Sequence, residues 1–118
     1  MNLKLAILAT IAALPFEVVA VPEFGEGQEL RVGVMSVAER DLFDNTYRAM
    51  PEAIRAESFR SLLVICTVKD ADGQPVFGVD DLADVKKLNS LAIIRLAEVA
   101  LRINKMLKQD VESAEKNS

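Results

Sequence analysis

The sequence predicts an α+β fold that is predominantly α-helical, with an N-terminal β-hairpin followed by about four helices, the last of them broadly apolar. Three observations carry this expectation. Two stretches of strand character, Phe16 to Val21 and Gln28 to Val34, flank a connection containing Pro22, Gly25 and Gly27. Helix-start signals recur at Ser36, at Asp80 or Asp81, and at Asn89 or Ser90. Hydrophobic residues make up 51% of the chain while aromatics make up 5% and Trp is absent, which predicts a core of Leu, Ile, Val and Ala and favours packed helices over an aromatic cleft. At 118 residues the chain suits one domain, expected over residues 1–107, with a polar and disordered tail over 108–118.

The first residues imitate a secretory signal peptide: Lys4 precedes an apolar stretch from Leu5 to Leu14, and Val18-Val19-Ala20 resembles a small-residue cleavage site. Against this, one lysine is a thin positive region and Pro15-Phe16-Glu17 interrupts the approach to the site. The run is also far below the roughly 20 residues that span a bilayer, so no membrane partner is expected. A short buried helix accounts for the same residues.

Beyond Pro15, β-branched residues fill Phe16 to Val21, and Gln28 to Val34 alternates polar and apolar positions. These make a hairpin, which needs helices packed on one face to be stable. Ser36-Val37-Ala38-Glu39 has capping-box spacing and should open a helix that places Leu42, Phe43, Thr46, Tyr47 and Met50 on one face. Pro51 closes that helix and opens the next. From Glu52 the chain is helical, and the continuous apolar run Leu62 to Val68 fits either the same helix or a strand. Asp70-Ala71-Asp72-Gly73 is a turn, Pro75-Val76-Phe77 a short extended piece near the hairpin, and a short capped helix runs to Leu88.

The last helix, expected from Leu91 to about Leu107, carries a single polar stripe of Arg95, Glu98, Arg102, Lys105 and Gln109. So broad an apolar arc belongs either to a central buried helix or to one that offers part of its surface to a partner. Leu91, Ile94, Leu96, Leu101, Ile103 and Met106 are the candidate residues for a self-association or partner interface.

Chemistry is sparsely supplied. The chain has no His, the commonest general base and zinc ligand. Its one Cys, Cys66, sits inside an apolar run, where it reads as a small buried hydrophobe and has no second Cys to pair with. Asp70, Asp72 and Gly73 lack the further acidic residues of a calcium loop. Gly25 and Gly27 are not followed by a phosphate-binding Gly-Lys-Ser or Gly-Lys-Thr. Asp80, Asp81 and Asp84 suit a helix start. The net charge of -4 argues against nucleic acid as a partner. These features imply a protein that binds other proteins, with no catalytic residues, no cofactor and no metal.

Val19-Ala20-Val21-Pro22-Glu23-Phe24-Gly25, Leu30-Arg31-Val32 leading to Ser36-Val37-Ala38-Glu39-Arg40-Asp41, Asp70-Ala71-Asp72-Gly73-Gln74-Pro75-Val76-Phe77, and Asp80-Asp81-Leu82 follow one another along the chain. Taken in order, these segments resemble the tail assembly chaperones of long, non-contractile-tailed bacteriophages. Arg102-Ile103-Asn104 stands where that family tends to place a short hydrophobic-Asn element, and the likeness continues to Glu112 to Asn117. Phe24 departs from the pattern, since relatives often carry Trp there, and the residues before Val18 are the least family-like.

The resemblance implies a protein of the host cytoplasm that holds the tape-measure protein while tail-tube subunits polymerise around it, and that is absent from the finished virion. It also implies self-association into a homo-oligomer, in extended multimers. A longer form made by ribosomal frameshift would recruit the tail-tube protein, and Glu115-Lys116-Asn117 is compatible with slippery A-rich codons. The alternative is an exported small helical binding protein whose signal peptide is cleaved near Val21.

Overall fold

The computed structural model of the chain describes residues 2–106, so the expected polar tail, the end of the last helix at Leu107 and the closing Glu112 to Asn117 lie outside the described residues. Strands β1 (Phe16–Ala20) and β2 (Glu29–Gly33) form the expected antiparallel hairpin, registered Phe16 to Gly33 and Ala20 to Glu29. Alternation sends Val19 and Val32 inward and leaves Phe16, Val18 and Ala20 on the outer face. Its connection holds a 3-10 turn at Pro22–Phe24.

Helix α2 (Val37–Ala49) starts at the capping box read from the sequence. The Ser36 N–H donates to Glu39 Oε1 at 2.8 Å and the Glu39 N–H donates to Ser36 Oγ at 3.2 Å, pairing donors that a helix start leaves open. Pro51 forces Met50 into an extended conformation, which ends α2. Helix α3 (Glu52–Thr67) follows at once, and its Arg55 Nη2 donates to the Arg48 and Met50 carbonyls at the end of α2. The α2–α3 contact is aromatic: Phe43 and Tyr47 both meet the Phe59 ring edge-on, at 5.5 and 5.6 Å between centroids. The aliphatic core expected from composition therefore omits this cluster, and Leu42, expected inside, faces solvent.

The ambiguous run resolves as helix up to Thr67, with strand β3 (Val68–Lys69) beginning at the next residue. The helix continues because every side chain from Leu62 to Thr67 is buried, and a helix satisfies its backbone within itself in such surroundings. Val68 then pairs with Val32, adding a third strand to the sheet in the order β1-β2-β3. The extended piece after the turn meets β3, through a bridge between Lys69 and Pro75, and not the hairpin itself. Asp70 Oδ1 accepts the N–H groups of Asp72 and Gln74, and Gly73 takes φ 81°, which closes the turn. A 3-10 turn at Val79–Asp81 and the single-turn α4 (Leu82–Val85) lead to α5 (Ser90–Ile103). Asp81 Oδ2 accepts the Gly78 N–H, and Asn89 Oδ1 accepts those of Leu91 and Ala92.

The central helix is α3, whereas α5 buries one face through Ala92, Ile93, Leu96, Ala97 and Ala100. Helix α5 also stops four residues earlier than expected. No Gly or Pro marks this end in the sequence; Lys105 adopts φ 54° instead, and the N–H groups of Lys105 and Met106 return to the carbonyls of Arg102 and Leu101. A second expectation fails at the other terminus. Helix α1 (Leu3–Ala9), continued by a 3-10 turn at Thr10–Ala13, forms as expected but buries none of its residues. Its apolar composition reads as burial, but the described fold brings no core against it.

Asn104, just past α5, uses its whole amide. Its Oδ1 accepts the Met35 N–H at 2.8 Å, and its Nδ2 donates to the carbonyls of Gly33 and Ala100 at 3.2 and 2.9 Å. This residue of the hydrophobic-Asn element thus ties the end of α5 to the β2–α2 connection. Asn104→Ala should lower the unfolding free energy by about 1–3 kcal/mol, because it strands half-buried backbone groups; urea denaturation followed by circular dichroism measures it.

Candidate interaction surface

The six residues singled out on the last helix do not form one surface. Leu96 is fully buried against the core, so it supports the fold and presents nothing to a partner. Leu101 and Met106 pack partly against the core. Leu91 and Ile94 are exposed, at 66% and 38%. Ile94 borders a shallow groove beside Ala56, Arg60, Val85 and Leu88. Ile103 lies two and a half turns beyond Ile94, about 13 Å along a helix. It lines a separate groove of about 430 Å³ with Pro15, Val34, Met35 and Asn104.

The polar stripe of α5 has a role that its periodicity did not reveal. Arg95 donates through Nη1 and Nη2 to both carboxylate oxygens of Glu23, at 2.7 and 2.6 Å. Two turns further on, Arg102 donates to Glu17 Oε1 at 2.8 Å. The helix is thereby pinned along β1 and the hairpin connection, and the exposed Leu91, one turn before Arg95, lies on the same side of the helix as the two arginines. A two-pronged guanidinium–carboxylate contact fixes orientation as well as distance.

The Arg95 hydrogen bonds, helped by a backbone N–H, hold the Glu23 carboxyl down at about 2, well below its usual 4.5. Arg102 lowers Glu17 in the same direction, chiefly through its hydrogen bond. Burial pushes the Cys66 thiol up to about 11, with the Glu39 carboxylate adding to the effect, so this cysteine is an inert core residue. Among the described residues, no group of three His, Cys, Asp or Glu side chains is placed to hold a metal ion. No helix among them is long and apolar enough to cross a membrane.

What the sequence could not supply is the partner of each arginine, 72 and 85 residues away. It also could not show the exposure of α1, because a helix whose one charged residue is Lys4 reads as buried. Because the folded carboxyl of Glu23 titrates lower than the unfolded one, its stabilising effect is complete above pH 4.5 and fades as the pH falls towards 2. Melting temperatures across that window should therefore drop on acidification, and Glu23→Gln should flatten part of the drop; thermal melts in a pH series measure both.

No family model matches the chain, and no curated protein matches it in sequence. Among solved structures, the chain is similar to the tail assembly chaperone of bacteriophage HK97, with a TM-score of 0.59 and 25% identity over 86% of this chain and 98% of that one. The likeness spans nearly the whole of both chains and supports a bacteriophage tail assembly chaperone.

Proposed function

We propose that the protein is a tail assembly chaperone of a phage with a long, non-contractile tail, acting in the host cytoplasm without catalysis. It binds the tape-measure protein, keeps it competent while the tail tube forms around it, works as a homo-oligomer and leaves before the virion is complete. The observation that carries this reading is the near full-length likeness to the HK97 protein. Exposed apolar side chains on two helices, α1 and α5, support it, since holding a long partner takes repeated apolar contact.

On α5, Leu91 and Ile94 are the part of the predicted interface that is open to such a partner, with Leu101, Ile103 and Met106 contributing at the far end. Contact with the tail-tube protein would belong to a frameshift-extended form. The gene tests that element: a slippery heptamer at the codons for Glu115-Lys116-Asn117, followed by an overlapping frame, is expected, and a gene without them removes it.

One observation bears on the exported alternative. An exposed apolar α1 behind Lys4 fits a leader, but cleavage near Val21 would take away all of β1, including the buried Val19 and five paired residues of the sheet. The sheet described above requires that strand.

Co-expression with the tape-measure protein of the same genome is the test. The two proteins should co-purify, and Leu91→Asp with Ile94→Asp should cut recovery at least about tenfold, or about 1.4 kcal/mol, with unchanged circular dichroism because both residues are exposed. Failure of the unaltered chain to co-purify, or a purified chain whose intact mass starts near Val21, would contradict the proposal.

A further inference from the structure

Helix α1 is the largest apolar feature that the fold leaves uncovered. Leu3, Leu5, Ile7 and Leu8 on the helix and Ile11 in the 3-10 turn that continues it are between 48% and 74% exposed, with Ala6 and Ala9 on the remaining side of the helix. Five such side chains together match or exceed the roughly 300–600 Å² of the largest apolar patch on an ordinary monomer. A helix apolar all round is not satisfied by lying on a flat face; it needs a groove.

The same chain carries a groove of that character. Phe24, Leu30, Val76, Phe77 and Leu88 line a cleft of about 410 Å³, with Glu23 and Gln28 at its rim. Its position matters as much as its lining. The arm formed by α1 joins β1 at Phe16, while the cleft is walled by the hairpin connection after Ala20, so the two lie at opposite ends of strands about 17 Å long. Charge agrees with apolarity. Lys4 is the only charged residue from Asn2 to Phe16, and the connection beside the cleft carries exposed Glu26 and flanks exposed Glu29.

The geometry points to α1 of one copy docking into the Phe24–Leu30–Val76–Phe77–Leu88 cleft of the next copy. This deepens the oligomer of the proposed function and rests on that reading for its purpose, though its contacts stand on the residues alone. A contact whose two halves sit at opposite ends of the molecule is heterologous, and successive copies add head to tail into an open filament. A filament would present the α5 surface at regular intervals, as a long partner requires.

The test needs no tail protein. Sedimentation velocity of the unaltered chain should show concentration-dependent multimers. The arm variant, Leu5→Asp with Leu8→Asp, and the cleft variant Val76→Asp should each be folded and monomeric, with association weakened at least tenfold. Leu88→Asp is the second cleft variant should Val76→Asp disturb folding; both positions are about two-fifths exposed. An equimolar mixture of arm and cleft variants should then give 1:1 dimers and nothing larger, because one intact arm meets one intact cleft. A monomeric unaltered chain, an arm variant that assembles normally, or a mixture that stays monomeric would each overturn the docking. None of these outcomes depends on tape-measure co-purification, so the chaperone reading stands or falls separately.

Discussion

The enclosure of the second half of α3 governs the rest of the structure. From Leu62 to Val68 every side chain is buried, which requires covering elements on all sides. Helix α2 covers one side by setting Phe43 and Tyr47 against Phe59 of α3, in a ring geometry that allows little freedom. Helix α5 covers another with Ala92, Ala97 and Ala100 around Leu96, small residues that let two helices approach closely. The sheet covers a third, and there the chain passes from helix to strand without a loop. Placing Val68 against Val32 therefore fixes the position of α3 and the register of the sheet together.

Once α3 is enclosed, the remaining apolar surface has few places to go. Arg95 and Arg102 fasten α5 to the hairpin by one edge, and Asn104 locks its end to the segment before α2. These contacts orient α5 so that Leu91 and Ile94 face outward, while α1 projects ahead of β1 with no core of its own. The architecture thus separates a rigid centre from apolar surfaces at its periphery. Such a division suits a protein whose work is holding others, and it accords with the likeness to a phage tail assembly chaperone.

Local signals in the sequence were the legible ones. The capping box at Ser36 and Glu39, the Asn89 cap and the Asp70 turn each depend on residues within four positions of one another, and all are present as read. The hairpin was legible from alternation and its Pro- and Gly-containing connection. Leu62 to Val68 was not, because uniform burial erases the periodicity that separates helix from strand. The stop of α5 at Lys105 was hidden by the use of a non-glycine residue at a left-handed position. Helix α1 was legible as a helix but not in its setting, since apolar residues declare a need for burial without naming the molecule that provides it. For the same reason the six interface candidates, five on α5 and Met106 beyond its end, divided: Leu96 went to the core, Leu91 and Ile94 to the surface.

The account turns on a rigid α3-centred core with an arm that is uncovered until copies meet. Hydrogen exchange, compared between dilute monomer and concentrated assembly, measures this most directly. The amides of Leu62 to Thr67 should be the slowest to exchange in both states, whereas those of Leu3 to Ala9 should exchange rapidly in the monomer and become protected on assembly. Strong protection of α1 already in the monomer, or exchange in α3 as fast as in α1, would contradict it.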